Sequence, residues 1–485
     1  MRFNTEVFYP EESVHKIFSA ESPGQKPLSV SITIPSVTGV DEPFTVKTAV
    51  LDKNGYPSLE CSETLVFTNC LTGETMPVRF KKGTPAVAFI KNARNSRKGF
   101  FRFSAELDGK LFHSNPSLAE KTPRYRLFWG DPHVHTVLSD CHADIARSVH
   151  FACTAGRYLT GLDWMAIADH VSNGRSSPGK WHEGIAVTNL YRAPSEFVIL
   201  PAYEASLKGG SGGDNNVYCT KYPDIFVDDY EEGNVKTLCE KLMQKAKEQG
   251  FDFFVVPHHT SRTGKHGEMP EAIYPGRELM PAIEIYSKWG CSEYPGNPRP
   301  LLNPYNGKVY VLDYLKRGVC TGFVAGTDSH ATMPSGAGLE APHIPYPPGF
   351  TAVRSGELTD MAVFKAIREG NTYAASGERI FLEAKINGLV HGGVIRDSRV
   401  PSRKVSVTAA ATERIEKMEL IRNGDVIYSS VVNDWHGSME FTDEEKMDRY
   451  YMESEYGGRF LFYYVRLSCF SGAQAWSSPV FFLQP

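Results

Sequence analysis

Residues 125–140 run Tyr-Arg-Leu-Phe-Trp-Gly-Asp-Pro-His-Val-His-Thr-Val-Leu-Ser-Asp, and they hold the strongest structural signal in the chain. The stretch predicts a β-strand that ends in the pair His133 and His135. Residues two apart in an extended backbone point to the same face, so both imidazoles lie on one side of the strand. Two imidazoles on one face can begin a metal site, although one such pair alone is a weak signal.

Four later segments repeat this arrangement. Each predicts a buried strand, and together they cover 164–168, 197–200, 251–256 and 321–325. The residues at their ends are Asp169 and His170, Glu204, His258 and His259, and Asp328 and His330. Because five strands deliver His, Asp or Glu at the same end, chance is a poor explanation, and we expect a multinuclear metal site. Nitrogen and carboxylate ligands of this kind suit zinc, manganese or iron.

The remaining patterns predict three domains. Helical spacing at 143–155, 235–246 and 311–317 alternates with the strands, which indicates a parallel sheet and, at this length, a β/α barrel. Short alternating runs with turn residues flank this region on both sides and are typical of small β-sandwiches. We therefore expect an N-terminal β-sandwich over 1–122, a metal-dependent β/α barrel over 123–380 and a C-terminal β-sandwich over 381–485.

Composition narrows the range of partners. The net charge is −4, and no block of Lys and Arg is present, which argues against nucleic acid and against anionic membranes. We see no signal peptide and no apolar run of roughly 18 residues that would span a membrane. Nine cysteines without CxxC spacing indicate free thiols, so a cytoplasmic location is expected. The expected partner is a small-molecule substrate, and the net charge is compatible with an anionic one. Nothing in the sequence predicts the oligomeric state.

The order of these motifs resembles the polymerase and histidinol phosphatase (PHP) superfamily, and the flanking regions resemble its larger PHP-like branch. The resemblance implies an α/β fold, a distorted (β/α)7 PHP-type barrel flanked by N- and C-terminal Ig-like β-sandwich domains. It also implies a set of metal ligands, which are His133, His135, Asp140, His170, Glu204, His258, Asp328 and His330.

One departure from that family concerns the number of metals. Many PHP enzymes offer a further His or Cys after the fifth strand, where this chain has Ser287-Lys288-Trp289-Gly290. His266 or Glu284 can substitute, although a strand carboxylate such as Glu284 equally often orients another ligand. Two or three divalent ions, of manganese, zinc or iron, are therefore expected.

The resemblance implies a metal-dependent hydrolase in which a metal-bridging hydroxide attacks a small phosphoester. Candidate catalytic residues that are not ligands are His259 and His266, as proton donors, and Arg262. Arg175, Lys208 and Lys265 lie in loops beside the ligand-bearing strands and are candidates to bind an anionic substrate. For each cation taken singly, a solvated loop charge is the plainer interpretation.

Two other functions fit the same residues. A metal-activated water also hydrolyses amides, esters and related carbonyl compounds. Alternatively, the chain is a non-enzymatic binding module with a relic metal site, although a degenerate site should lose its ligands first.

Overall fold

The computed structural model describes residues 5–139, 145–208, 210–262, 273–304, 309–336, 344–396 and 402–484. Among these described residues, 43% lie in strands and 16% in helices. Within the described residues no helix is long and apolar enough to cross a membrane. The described cysteines are free thiols, as their spacing predicts.

The N-terminal region is built mainly from antiparallel strands around its own core. Its elements are β1 (Glu6–Phe8), α1 (Glu12–Glu21), β2 (Ser29–Thr33), β3 (Val37–Gly39), β4 (Phe44–Leu51), β5 (Thr64–Asn69), β6 (Thr75–Arg79), β7 (Val87–Ala93), β8 (Gly99–Phe101), β9 (Phe103–Leu107), β10 (Lys110–His113) and β11 (Ser117–Glu120). The antiparallel sheets β1-β7-β4-β2 and β10-β9-β5-β6 enclose a buried cluster that includes Val46, Phe67 and Phe103. A small sheet β3-β11-β8 lies beside them, and in it β3 and β11 are parallel.

The central region alternates strands with helices, as expected, but groups them into several sheets. Its strands are β12 (Arg126–Val134), β13 (Trp164–Ile167), β14 (Val198–Leu200), β15 (Ala202–Ser206), β16 (Asp214–Cys219), β17 (Phe253–Pro257), β18 (Ala282–Ser287), β19 (Gly290–Cys291), β20 (Gly322–Ala325), β21 (Gly349–Ser355) and β22 (Thr372–Ser376). Its helices are α2 (Val149–Thr154), α3 (Pro178–Tyr191), α4 (Val235–Gln249), α5 (Val311–Lys316) and α6 (Asp360–Glu369).

The prediction of a closed (β/α)7 barrel is wrong. Strands β12, β13 and β14 are parallel, but β12 pairs antiparallel with β21, and β21 antiparallel with β22. Strands β15, β16 and β17 form a separate antiparallel sheet. A third sheet contains β18, which pairs antiparallel with β19 and parallel with β20. Alternation of strand and helix along a sequence does not determine strand direction, and apolar runs are buried equally well in antiparallel sheets.

The C-terminal strands do not form an isolated sandwich either. These strands are β23 (Phe381–Ile386), β24 (Leu389–Val390), β25 (Gly393–Ile395), β26 (Arg403–Arg422), β27 (Asp425–Asp443), β28 (Met452–Glu453), β29 (Arg459–Cys469), β30 (Gln474–Ser477) and β31 (Val480–Gln484). Strand β22 pairs antiparallel with β30, so one sheet, with fourteen strands among the described residues, continues from the central region into the C-terminal one. Trp129, Phe381 and Val465 belong to one buried cluster, so the two regions share a core. The domain division at 122 and 380 stays a prediction.

Despite the open sheets, the segments that carry the predicted ligands are joined directly. The His135 amide donates to the Ser329 carbonyl at 3.1 Å, and the Asp328 amide donates to the His133 carbonyl at 2.8 Å. The Glu204 amide donates to the Asp169 carbonyl at 3.0 Å. These backbone bonds bring the ends of β12, β13 and β20 and the middle of β15 to one place.

Candidate metal centre

The histidine pair that ends β12 is fully buried, and each ring is held from behind. His133 Nδ1 lies 3.1 Å from Glu284 Oε2, and His135 Nδ1 lies 2.9 Å from Ser139 Oγ. With both Nδ1 atoms engaged, the two Nε2 atoms face each other at 3.1 Å. Two imidazole lone pairs at this distance repel unless a proton or a metal cation lies between them.

Glu204 supplies the first carboxylate of the cluster. Its Oε2 lies 3.1 Å from His170 Nδ1, 3.3 Å from His135 Nε2 and 3.4 Å from His133 Nε2. Its Oε1 lies 3.3 Å from His258 Nε2. One carboxylate thus contacts four histidines from three different strand ends, an arrangement suited to bridging two ions.

Asp328 supplies the second carboxylate from the loop after β20. Its Oδ1 lies 2.9 Å from His135 Nε2, and its Oδ2 lies 2.8 Å from His259 Nε2. His330 Nδ1 lies 3.1 Å from the Asp328 carbonyl oxygen. Asp328 and His259 have φ values of 50° and 53°, a left-handed backbone that costs about 1–3 kcal/mol for a residue with a side chain. Such strain persists where the surroundings hold it, which is common at functional sites.

The donor atoms form several overlapping groups that fit metal ions. Among the described residues, each group brings three ligand atoms within 4.8 Å of one another. The groups are His135, His170 and His330; His133, His135 and Asp328; His133, His258 and Glu284; His258, His259 and Asp328; and Glu204, Asp214 and His258. Imidazole nitrogens mixed with carboxylate oxygens suit zinc, manganese or iron, so the residues fit divalent ions of this class.

Three carboxylates support the cluster. Glu284 contacts the Nδ1 atoms of both His133 and His258, at 3.1 and 3.4 Å, while their Nε2 atoms face Glu204. This geometry favours the orienting role that the sequence left open for Glu284. Asp169 accepts from the amide and hydroxyl of Thr136, at 2.6 and 2.7 Å, so it shapes the turn after β12.

The third is Asp131, in the strand before the histidine pair. It accepts from the amides of Thr327, His133 and Ser335 and from the Thr327 hydroxyl, at 2.6 to 3.1 Å. Burial raises the pKa of Asp131 to about 6, although these hydrogen bonds oppose the shift. Asp131 therefore ties the loop after β20 to β12.

Charges within the cluster divide the histidines into two sets. Burial lowers the pKa of His135, but hydrogen bonds and charges from Asp328 and Glu204 outweigh it and raise that pKa to about 9. The same balance raises the pKa of His258 to about 10. Burial dominates at His170 and His259 and lowers their pKa values to about 4 and about 3. At neutral pH, His135 and His258 are therefore protonated, whereas His170 and His259 are neutral.

Metal binding is consequently expected to release protons. Between pH 6 and 8, below the raised pKa values of His135 and His258, a divalent ion must displace their protons. Affinity should rise with pH by about tenfold or more per pH unit. Calorimetric titration with zinc or manganese in two buffers of different ionisation enthalpy measures the protons released. Equal binding heats in both buffers would contradict this expectation.

The structure brings together most of the predicted ligands. His133, His135, His170, Glu204, His258, Asp328 and His330 all lie in the buried cluster. Asp140, Lys265 and His266 lie outside the described residues. His259 contacts Asp328, and Arg262 lies beside the cluster with its guanidinium 4.1 Å above the Trp289 ring.

The other two predicted substrate-binding residues have different surroundings. Lys208 is half exposed, and its Nζ lies 2.8 Å from both the carboxylate and the carbonyl of Glu231. Arg175 is partly buried in the loop after His170, and its charge contributes to lowering the pKa of His170. Lys208 is therefore paired with Glu231 at the surface, whereas Arg175 lies near the cluster.

Sequence reasoning missed Asp214 as a member of the cluster. It begins β16, is buried, and belongs to a group with Glu204 and His258. The His258 amide donates to the Asp214 carbonyl at 3.1 Å, which fixes the two segments side by side. The only signal in the sequence is the run Asp214-Asn215-Asn216, three polar residues that are all buried in a strand.

Comparison with known proteins adds relatives but no activity. No family model matches the chain. An uncharacterized protein of Chlamydia muridarum is 30% identical over 214 residues, which cover 42% of this chain and 34% of the relative. Another, of Chlamydia pneumoniae, is 25% identical over 384 residues, covering 76% of this chain and 60% of the relative. The chain spans less than two thirds of the length of both curated relatives.

One solved structure, the native conformation of E. coli alpha-2-macroglobulin, aligns with 95% of this chain and 23% of its own. The TM-score is 0.17 at 6% sequence identity, so the likeness carries no argument about the fold.

Proposed function

We propose that the chain is a metal-dependent hydrolase, of the PHP-like kind that its motif order resembles, and that it acts on a small phosphoester. The observation that carries the proposal is the buried cluster in which six histidines contact Glu204 or Asp328. A buried cluster so rich in ionisable groups is costly for stability alone, because desolvation penalises every charge in it. Such clusters are typical of functional sites.

The ligands that would hold the metals come from five segments of the fold, and a further carboxylate comes from a sixth. They are His133, His135, His170, Glu204, His258, Asp328 and His330, with Asp214 as a further carboxylate. Two or three divalent ions of manganese, zinc or iron would polarise the substrate oxygens and make water a stronger nucleophile at neutral pH. Glu284 and Ser139 would keep the imidazole rings of His133 and His135 in the orientation that this requires.

His259 is better placed to hold Asp328 than to protonate a leaving group. Burial, followed by the neighbouring positive charge of His258, lowers the pKa of His259 to about 3, so its ring is neutral at pH 7. The neutral ring donates from Nε2 to Asp328 Oδ2 across 2.8 Å. We therefore assign His259 to the positioning of the Asp328 carboxylate.

Arg262 and Trp289 favour an anionic substrate. The guanidinium of Arg262 lies 4.1 Å above the Trp289 ring, a cation–π contact that restrains a long side chain. The Trp289 ring in turn lies 5.6 Å from the His259 ring and 5.9 Å from the His330 ring. A restrained guanidinium at the edge of the cluster is suited to hold two oxygens of a phosphoryl group.

The proposal is tested with a panel of phosphoesters, carboxylic esters and amides, using protein loaded with manganese or zinc. We expect phosphate release from at least one phosphomonoester or phosphodiester. Arg262→Ala should raise KM for that substrate by about 10–100-fold, because a charge-assisted contact is lost, with metal content unchanged.

Arg97→Ala is the matched control, since Arg97 is exposed in the N-terminal region and should leave KM unchanged. Cleavage of esters or amides alone, without phosphate release from any phosphoester, would overturn the proposed substrate class. Absence of any hydrolysis by metal-loaded protein would overturn the enzymatic function itself.

A further inference from the structure

A pocket lies where the segments before β18 and β20 meet the C-terminal strands. Its volume is about 390 Å³, within the usual range for small-molecule sites. Its described lining includes Arg277, Arg396 and Arg459 and contains no Asp or Glu side chain. A chain with a net charge of −4 therefore gathers three guanidinium groups around one cavity.

This basic pocket is separate from the metal centre. Arg277 precedes β18 and Cys320 precedes β20, whereas Asp328 follows β20. Since β18 and β20 run parallel, the pocket lies at their amino ends and the metal centre at their carboxyl ends. The four residues of β20 alone separate the two ends by about 13 Å.

Two polar groups in the pocket wall are buried without a partner. Tyr274 Oη and Arg277 Nη1 make no hydrogen bond with any residue that the structure describes. The other terminal nitrogen of Arg277, Nη2, donates to the Glu369 carbonyl at 3.2 Å, which anchors the guanidinium. The Tyr274 ring packs against Tyr456 with ring centroids 4.7 Å apart. Both side chains are thus held in place while donors that need an acceptor remain unsatisfied.

Arg459 is also oriented before any ligand arrives. Its Nη1 donates to Gln484 Oε1 at 3.3 Å, and its Nε lies 3.4 Å from Glu453 Oε1. The Glu453 side chain is 83% exposed, so water screens its charge and only weakly offsets that of Arg459. The positive charge of the pocket is therefore available to an anion.

We propose that this pocket binds the phosphoryl group of a small phosphorylated molecule. Three guanidinium groups and one phenol offer more donors than the two oxygens of a carboxylate can accept, whereas a phosphoryl group presents three acceptor oxygens. The cavity is larger than a phosphate ion, so it also accommodates the organic part of the ligand. The inference does not depend on the proposed hydrolase activity, because it rests on a different set of residues.

The test is calorimetric titration of the full chain with orthophosphate, with adenosine 5′-monophosphate and with uncharged adenosine. We expect at least one of the two phosphorylated probes to bind and adenosine not to bind. Arg396→Glu, at an exposed position, and Arg277→Gln should each raise the Kd of the bound probe by at least about tenfold, since each removes a charge-assisted contact.

Two further variants decide where the probe binds. Arg97→Glu makes the same charge change at an exposed site in the N-terminal region and should leave Kd within about twofold after allowance for screening. His258→Ala alters the metal centre and should leave binding at the pocket intact. No binding of either phosphorylated probe, or binding that is lost in His258→Ala and kept in Arg396→Glu and Arg277→Gln, would overturn the proposal.

Discussion

His133→Ala is expected to remove at least one metal ion per chain and to weaken binding of the remaining metal by more than about 100-fold. Loss of an orienting residue around a ligand typically costs about 10–100-fold in metal affinity, and His133 is placed as a ligand itself. Hydrolysis, if the proposed function holds, should fall at least as far. Elemental analysis of protein purified from manganese- or zinc-supplemented medium measures the metal, independently of any substrate.

The size of this effect follows from the position of His133 within the cluster. Its Nε2 lies 3.1 Å from His135 Nε2 and 3.4 Å from both Glu204 Oε2 and Asp328 Oδ1. Removal of the ring therefore takes a donor from the point where both carboxylates meet. It also leaves Glu284, buried behind the ring, without one of its two histidine partners.

Two comparison variants give the result its meaning. His182→Ala removes an exposed histidine on α3 and should leave the metal content unchanged. Glu284→Gln keeps the ring of His133 but removes the carboxylate that orients it. Its metal content should therefore lie between that of His133→Ala and that of the unaltered protein. Full metal occupancy in His133→Ala would show that the cluster is not a metal centre.

The residues of the candidate metal centre could be predicted from the sequence because each lies just after, or within, a short apolar strand. His133 and His135 require only that residues 126–134 are extended, which the structure has as β12. Asp328 and His330 follow β20 in the same way. The local sequence pattern was therefore enough to place these residues at strand ends. That placement does not depend on how the strands are arranged into sheets.

The arrangement of the sheets could not be predicted, because it depends on pairings between distant segments. Strand β22 pairs with β30 through Tyr373 and Ser477, about a hundred residues apart in sequence, and neither strand differs in composition from one at a sheet edge. Likewise, β16 and β17 pair antiparallel although helix α4 lies between them. The sequence pattern had favoured such a helix as the connection between two parallel strands. The antiparallel pairing of β16 with β17 also brings Asp214 beside His258. The sequence analysis therefore missed Asp214 for the same reason that it predicted the wrong sheet arrangement.

Glu293→Ala is expected to destabilise the protein by about 3–5 kcal/mol, the cost of removing one partner from a buried ionic network. Glu293 is fully buried in the segment after β19. Its Oε1 accepts from the Tyr464 hydroxyl at 2.7 Å and from Arg466 Nη1 at 2.8 Å, and its Oε2 accepts from Trp476 Nε1 at 2.7 Å. One carboxylate thus joins the central region to β29 and β30, and its loss leaves three buried donors without this acceptor.

Urea denaturation followed by tryptophan fluorescence measures the change in the free energy of unfolding. Glu196→Ala is the matched control, because Glu196 is 69% exposed and its ion pair with Arg157 should contribute less than about 1 kcal/mol. Glu293→Gln retains one acceptor oxygen, so its loss of free energy of unfolding should lie between those of Glu293→Ala and Glu196→Ala. A free energy of unfolding for Glu293→Ala equal to that of Glu196→Ala would mean that the C-terminal strands are held by apolar packing alone. If the larger loss is found, the continuity of the sheet through β22 and β30 is reinforced by this carboxylate, and the C-terminal strands are part of the framework that supports the candidate metal centre.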